Sequence, residues 1–148
     1  MRAVIQRVSS ASVTADGAIT GQIGHGLLVL LGIACDDTEA DLDYITKKIL
    51  GLRIFDDAAG VPNLAVTDVG GSVLIVSQFT LYGDAAKGNR PSYIRAAGRE
   101  AALPLYQKCL ANLRKTVPVA EGSFGALMQV SLVNDGPFTI LLDSRKEF

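Results

Sequence analysis

The sequence predicts a single α+β domain, residues 1–148, in which mainly antiparallel strands pack against two helices. Its 148 residues, 49% hydrophobic and 20% charged, are typical of one compact domain with one core. Short apolar or alternating runs separated by Gly, Asp and Asn are typical of strands joined by tight turns. Two longer stretches, residues 38–51 and 98–115, repeat apolar side chains at the three- and four-residue spacing of amphipathic helices.

The first part of the chain predicts strands only. Residues 4–8 alternate in a way that indicates a strand with one mostly apolar face. Two further runs, 12–15 and 18–23, flank Asp16-Gly17, a strong signal for a two-residue hairpin turn. The continuous apolar run 27–31 is typical of a central strand that is buried on both faces.

The middle of the chain predicts a helix and then two strands. Thr38 and Asp41 have the spacing of a capping box, which predicts the start of the first helix. We expect a short strand at 53–55 and a buried strand at 72–79, followed by a polar, Gly-rich loop at 83–91.

The last part of the chain predicts a helix and a closing pair of strands. Pro104 falls within the helix predicted at 98–115, either in its first turn or at a bend. A short strand is expected at 117–119. The closing strands, 127–133 and 138–143, are joined through Asn134-Asp135-Gly136-Pro137.

Composition excludes several classes of function. The only histidine, His25, lies between two glycines, so a Ser-His-acid triad and a zinc site both lack the necessary residues. No phosphate-binding or dinucleotide-binding glycine motif occurs, and we expect neither a metal nor a cofactor. No apolar run is long enough to cross a membrane. Cys35 and Cys109 lie far apart and are interpreted as free thiols, which favours a cytoplasmic protein.

Ser77-Gln78-Phe79-Thr80 is a polar interruption at the end of the buried strand that begins near residue 72. Polar groups at such a position must be satisfied or used, and main-chain N–H groups there could stabilise an oxyanion. Alternatively, Ser77 and Thr80 only satisfy neighbouring backbone groups. Thr80 as a nucleophile is a further alternative, although no base for it can be identified.

Two other features are open to a functional or a plain interpretation. Gly136-Pro137 restricts the backbone strongly, but Asn-Asp-Gly-Pro is also a common turn composition. The net charge of −1 gives no overall attraction to nucleic acid. Four cations nevertheless follow one another without an intervening acid, and they form either a solvated surface or a phosphate-binding patch: Lys87, Arg90, Arg95 and Arg99.

The two motifs in combination resemble those of the D-aminoacyl-tRNA deacylases, and the resemblance runs from end to end. It includes Gln6-Arg7-Val8, Arg53-Ile54-Phe55, Arg90-Pro91-Ser92 and the stretch from Met128 to Pro137. The resemblance implies a barrel-like sheet and a homodimer with active sites at the subunit interface. It also implies hydrolysis of the ester between a D-amino acid and the terminal adenosine of tRNA, with no DNA partner.

The resemblance assigns roles to residues of both motifs. Ser77, Gln78, Phe79 and Thr80 would line the pocket for the terminal adenosine and the ester. The N–H groups of Phe79 and Thr80 would support the oxyanion, Gln78 would orient the substrate, and the 2′-hydroxyl of the substrate would assist the attack of water. The four cations would contact the phosphates of the acceptor stem.

The family resemblance also implies a filter for configuration. A cis Gly136-Pro137 bond would be inserted into the partner's site, where its carbonyls hold the α-amino group and exclude an L side chain. Glycine has no side chain to exclude, so glycyl-tRNA is an expected second substrate. Arg7 would brace this loop, or would form a plain surface ion pair. Phe138 stands where the family usually has Val, so a larger ring must find space near the pocket.

Two other functions compete with the hydrolase. One is a noncatalytic RNA-binding module for tRNA 3′ ends, and the other is a structural dimer in which the motifs only shape an interface. Substitution of Gln78 or Thr80 would slow turnover only if the protein is an enzyme.

Overall fold

The computed structural model describes all 148 residues as one sheet with two α-helices, a small two-stranded sheet and one 3-10 helix. The strands are β1 (Arg2–Ala15), β2 (Ala18–Ile23), β3 (Gly26–Gly32), β4 (Phe55–Asp56), β5 (Pro62–Leu64), β6 (Ser72–Ser77), β7 (Val119–Glu121) and β8 (Met128–Asp143). The helices are α1 (Glu39–Gly51) and α2 (Arg99–Arg114), and the 3-10 helix is Phe79–Tyr82. No helix combines the length and the apolar character that a membrane span requires.

The main sheet has the order β2-β1-β3-β6-β7, with β8 paired to β1. The pairs that involve β1 are antiparallel, as expected, whereas β3-β6 and β6-β7 are parallel. The sheet is therefore mixed, and the expectation of a mainly antiparallel sheet is corrected in this detail. The reason lies in the connections, since parallel neighbours need a crossover and here α1 and α2 lie within the two crossovers.

The sheet curls until β2 and β7 lie against each other, which gives the expected barrel-like shape. A Cβ atom placed on Gly21 of β2 would lie 2.3 Å from the backbone oxygen of Glu121 in β7. Any larger residue would overlap this strand. The approach of the two strands therefore depends on glycine at position 21.

The helices cover one face of the sheet and bury its core. Ile45 of α1 and Tyr106 of α2 join a cluster of 21 buried residues that includes Val29 of β3. Leu28, the neighbour of Val29, belongs to a separate cluster of six residues. Successive residues of β3 thus enter different clusters, which confirms the prediction that this strand is buried on both faces.

The capping box that predicts the start of α1 is present. The backbone N–H of Thr38 donates to a carboxylate oxygen of Asp41 over 2.8 Å. Pro104 lies in the second turn of α2, on its exposed side, and not in the first turn. The helical hydrogen bond that a proline cannot donate is therefore lost on the solvent-exposed side of α2.

The largest departure from the predicted elements is at the C-terminus. The predicted strands 127–133 and 138–143 are parts of one strand, β8, because both pair with β1. Val8 pairs with Asn134 and Gln6 pairs with Thr139, so the residues between Asn134 and Thr139 bulge out opposite Arg7. The predicted turn is therefore a bulge within a strand.

Candidate active site

The Ser77-Gln78-Phe79-Thr80 motif lies where β6 ends and the chain enters the 3-10 helix. The N–H of Gln78 still donates to Leu31 of β3 over 2.8 Å, and the N–H of Leu81 donates to Gln78 over 3.3 Å. Phe79 and Thr80 lie between these donors, at the start of the helix, where no intrahelical acceptor is available to their N–H groups. The turn thus presents two adjacent main-chain donors.

The side chains of this turn leave Thr80 without a base. Gln78 donates from its amide nitrogen to the Thr80 hydroxyl. The imidazole of His25 lies 5.0 Å from the ring of Phe55, just before β3 begins, whereas Ser77 is paired with Leu31 near the end of β3. The only imidazole of the chain is therefore at the other end of the strand.

A cavity of about 520 Å³ opens beside this turn. Ser77, Gln78 and Phe79 form one wall, and most of the other lining is apolar. The remaining residues come from the ends of β3 and β6, from the region where α2 begins and from the segment before and into β8: Leu31, Ile33, Val76, Ala97, Arg99, Ala102, Phe124, Gly125, Ala126, Leu127, Met128 and Val130. Its volume and apolar character are typical of a site for a small molecule or a nucleoside.

Sequence reasoning missed the segment 124–127 of this cavity. Phe124 packs with its ring 5.1 Å from that of Tyr106, and Leu127 is 97% exposed at the edge of the cavity. The available signal was a pair of large apolar residues in a Gly-containing turn between two strands.

The predicted cation patch is divided by the structure. Arg99 lines the cavity, where its guanidinium lies 5.5 Å from the Phe124 ring and donates to the Phe124 carbonyl over 3.4 Å. Arg95 forms an ion pair with Glu147 at 2.7 Å. Lys87 and Arg90 are exposed on the 83–91 loop and form no ion pair.

The Gly136-Pro137 motif forms the bulge of β8, and its peptide bond is cis. Asn134 closes the bulge, since its side-chain amide donates to the carbonyls of Arg7 over 2.9 Å and of Phe138 over 3.0 Å. Gly136 and Pro137 are left exposed at the tip. The motif therefore lies at the surface of the chain.

Arg7 supports this bulge from below and is only 6% exposed. Its Nε donates to the carbonyl of Asp135 over 3.0 Å, and its Nη1 donates to the carbonyl of Ile54 over 2.6 Å. The ring of Phe138 lies over the guanidinium at 4.7 Å, which is where the larger aromatic side chain finds its space. Carboxylate oxygens of Asp56 and Asp135 lie 3.4 Å from it, but the site is buried and is not a plain surface ion pair.

The two motifs lie far apart within one subunit. Arg7, opposite the bulge, is level with Leu27 of β3 and Val73 of β6, four positions before Ser77. Three strand spacings also separate β8 from β6. With about 3.3 Å per residue and 4.8 Å per strand, the path along the curled sheet between them is roughly 20 Å. Neither Gly136 nor Pro137 lines the cavity of its own chain.

No group of three or more His, Cys, Asp and Glu side chains lies close enough together to hold a metal ion. Arg99 adds a single positive charge to the wall of the cavity. The chemistry available here consists of main-chain donors, amide and hydroxyl groups, and an apolar cavity.

Comparison with known proteins identifies the family of the chain. The family model described as D-Tyr-tRNA(Tyr) deacylase matches residues 4–143. A D-aminoacyl-tRNA deacylase of Anaeromyxobacter dehalogenans is 60% identical over the full length of both chains. A solved structure of a protein named c-Myc DNA Unwinding Element Binding Protein is 45% identical, with a TM-score of 0.92 over 97% of this chain and 98% of that chain.

A more distant structure shares the fold. It is described as that of a probable eukaryotic D-amino acid tRNA deacylase, and it has a TM-score of 0.83 and 17% identity over 95% of this chain and 97% of that chain. The family model and the full-length relative establish the family of the chain, and the distant structure shows that the fold is shared. The chain belongs to the D-Tyr-tRNA(Tyr) deacylase family.

Proposed function

We propose that this protein hydrolyses the ester bond between a D-amino acid and the 3′-terminal adenosine of tRNA. The observation that carries this proposal is the apolar cavity of about 520 Å³ beside the N–H groups of Phe79 and Thr80. Membership of the family supplies the substrate class. The two free cysteines are consistent with action in the reducing cytoplasm, where aminoacyl-tRNA is used.

The cavity suits the terminal adenosine. The aromatic rings of Phe79 and Phe124 line the cavity where a purine would bind, and the Arg99 guanidinium lines it too, 5.5 Å from the Phe124 ring. RNA-binding sites commonly hold an unpaired base against aromatic and guanidinium groups in this way. The ester of the same nucleotide then lies at the wall formed by Ser77, Gln78 and Phe79, next to Thr80.

The reaction needs positioning more than a strong base. Water adds to the ester carbonyl, the C–O bond to the ribose breaks, and the ribose oxygen leaves with a proton. The N–H groups of Phe79 and Thr80 stabilise the negative charge on the carbonyl oxygen, and Gln78 orients the reacting ester. The 2′-hydroxyl of the substrate assists the attack of water, which explains why no histidine is needed.

The filter for configuration is supplied by a second copy of the chain. Neither Gly136 nor Pro137 lines the cavity of its own chain, and the path of roughly 20 Å along the sheet between the motifs supports this part of the proposal. β8 is an edge strand with exposed apolar side chains at Leu132, Val133 and Leu141, which favours a homodimer interface. Gly136 and Pro137 of the partner chain would accept hydrogen bonds from the α-amino group and leave no room for an L side chain. Glycyl-tRNA would pass the same filter.

The tRNA body meets cations outside the cavity. Lys87 and Arg90 are free to contact phosphates of the acceptor stem, whereas Arg95 must exchange its contact with Glu147 for a phosphate. These contacts position the RNA without reading its sequence. Because the Gly136-Pro137 filter contacts the α-amino group, the proposed enzyme is selective for configuration and not for the identity of the amino-acid side chain.

Hydrolysis of D-tyrosyl-tRNA beside L-tyrosyl-tRNA by the purified protein tests the proposal. We expect rapid loss of the D ester alone. Cleavage of both esters at equal rates would support the hydrolase activity but contradict the proposed Gly136-Pro137 filter. If both esters decayed only as fast as they do in buffer without protein, the proposed hydrolase activity would be wrong.

A noncatalytic nucleic-acid-binding module is the second candidate, and it is favoured by the 45% identical solved structure, whose name describes a DNA-binding protein. Gln78→Ala and Thr80→Ala separate the two functions. An enzyme loses turnover in these variants, since Gln78 lines the cavity and its side-chain amide is held by the Thr80 hydroxyl. A binding module shows no turnover in the wild-type chain and equal retention of the bound nucleic acid in the variants.

A further inference from the structure

An exposed aromatic side chain outside the cavity remains unused by the proposed reaction. Tyr93 is 40% exposed, and its ring meets the ring of Phe79 edge to face, with centroids 5.2 Å apart. Phe79 is itself 57% exposed and forms part of the cavity wall. The two rings therefore form a continuous aromatic surface from the cavity to the outside.

The backbone that carries Tyr93 is fixed on both sides. Asp84 and Ser92 exchange two backbone hydrogen bonds of 2.8 Å, which close the loop before Tyr93. After it, the N–H of Ala96 donates to the Tyr93 carbonyl over 2.9 Å. The ring rests against Gly83, where a Cβ atom would lie 3.0 Å from Tyr93 Cε1. Tyr93 is thus held in place before any ligand binds, which lowers the cost of ordering it on binding.

The same closed loop carries two exposed cations. Lys87 and Arg90 lie between Asp84 and Ser92 and are free of ion pairs. Aromatic faces beside a backbone-tracking positive charge are the elements of a site for single-stranded nucleic acid. Tyr93 and these cations therefore suit a single RNA strand that leads into the cavity better than they suit the surface of a protein partner.

We propose that Tyr93 stacks against the base of the nucleotide that precedes the terminal adenosine, while Lys87 and Arg90 contact the adjoining phosphates. This inference rests on the proposed function, because it follows the RNA strand outward from the nucleotide held beside Phe79. Tyr93 is a positioning residue that contacts the RNA and not the reacting ester. Stacking tolerates any base, so the site holds the strand without reading it.

Substrate truncation tests this assignment. The two substrates are D-tyrosyl-tRNA and the 3′-D-tyrosyl ester of adenosine, which has no preceding nucleotide. We expect Tyr93→Ala to lower kcat/KM on the tRNA by roughly 5- to 150-fold, mainly through KM, which is the range for loss of one base stack. The adenosine ester should be cleaved by this variant at the wild-type efficiency.

Two control variants sharpen the result. Tyr93→Phe keeps the ring and should retain wild-type values on both substrates. Ile94→Ala removes an 87% exposed neighbour that makes no ring contact with Phe79, and it should also have no effect. Unfolding curves of all three variants should match that of the wild-type protein.

Two outcomes would overturn the assignment. An equal loss on both substrates would mean that Tyr93 acts only by holding Phe79, and an unchanged KM on the tRNA would remove Tyr93 from the path of the RNA. A wild-type protein that cleaves neither ester would instead overturn the proposed function itself, and this inference with it.

Discussion

The guanidinium of Arg7 lies so close to Gly136 that a Cβ atom at position 136 would be 2.7 Å from Arg7 Nη2. The φ angle of Gly136 is +126°, which side-chain-bearing residues rarely adopt. The tip of the bulge and its buried support are therefore shaped against each other. Position 136 needs glycine for two independent reasons.

Gly136→Ala is expected to impair the filter more than the fold. The new methyl group displaces either the tip or Arg7, whereas the pairing of Asn134 and Thr139 with β1 is unaffected. We expect the free energy of unfolding to fall by about 1–3 kcal/mol, the usual cost of such backbone strain. Hydrolysis of D-tyrosyl-tRNA should fall by about tenfold or more, because small misplacements near a reacting group are costly.

Gly17→Ala is the matched control for this substitution. Gly17 has a φ angle of +75°, but a Cβ atom added there would meet nothing within 4 Å, so the same kind of strain arises far from the bulge. The Gly17→Ala variant should be less stable than the wild type, whereas its activity and its selectivity for D over L esters should stay at wild-type values. A Gly136→Ala chain that fails to fold would show that the bulge is structural first.

Arg7→Lys should separate charge from geometry. Lysine keeps the positive charge, but a single ammonium cannot reach the carbonyls of Ile54 and Asp135 together as the guanidinium does. A buried acceptor is left unsatisfied, so we expect a loss of about 1–3 kcal/mol in urea unfolding, together with slower hydrolysis of D-tyrosyl-tRNA. Unchanged stability and activity would contradict the role of Arg7 as a brace.

Arg53→Lys is the matched control for Arg7→Lys. The exposed Arg53 also donates from Nε to a backbone carbonyl, that of Asn63, over 2.8 Å. Water can replace this bond, so the same exchange should change stability by less than about 0.5 kcal/mol. Activity should be unaffected.

Local patterns in the sequence predicted those features of the fold that depend on residues close together in the chain. The double burial of β3 follows from an uninterrupted apolar run, and the capping box follows from the spacing of Thr38 and Asp41. The parallel pairing of β3 with β6 could not be predicted in this way, because it depends on how the α1 crossover returns the chain. Strand direction is a property of long-range connections.

The candidate site shows the same division. The polar end of the strand at Ser77 was visible in the sequence, and the structure puts a cavity beside it. The turn at Asn134-Asp135-Gly136-Pro137 was visible too, but its character as a bulge was not. That character arises only because both flanks pair with the same strand, β1. The segment 124–127 was missed since its role depends entirely on its neighbours in space.

The two cysteines should differ sharply in reactivity. Cys35 is exposed, whereas Cys109 is fully buried in the core and its burial raises the pKa of the thiol to about 11. A thiol reagent should label one cysteine in the native protein at pH 8 and two in urea, because the thiolate is the reactive form. Cys35→Ser should remove all native labelling. Rapid labelling of both thiols without denaturant would contradict the burial of Cys109.

Chelation should leave the activity unchanged. The sequence predicts a reaction without a metal, and no group of three or more His, Cys, Asp and Glu side chains is arranged to hold one. We expect equal rates of D-tyrosyl-tRNA hydrolysis before and after dialysis against EDTA. A loss of activity that one metal restores would contradict the prediction.

Asp41→Asn should make the protein less stable at neutral pH but not in strong acid. Burial opposes the charge of Asp41, yet hydrogen bonds from Ser144 and Thr38 lower the pKa of its carboxyl group to about 2. The unfolded value is about 3.9, so the ionised form stabilises the folded state above that pH, and this contribution is lost as the pH falls toward 2. We expect urea unfolding to show a difference of about 1–2 kcal/mol between variant and wild type at pH 7. That difference should shrink as the pH falls from about 4 to 2. Asp43→Asn changes an exposed position on the same helix and should leave the stability at pH 7 close to that of the wild type. A difference that stays constant with pH would mean that Asn disturbs the cap by its shape and not by its charge.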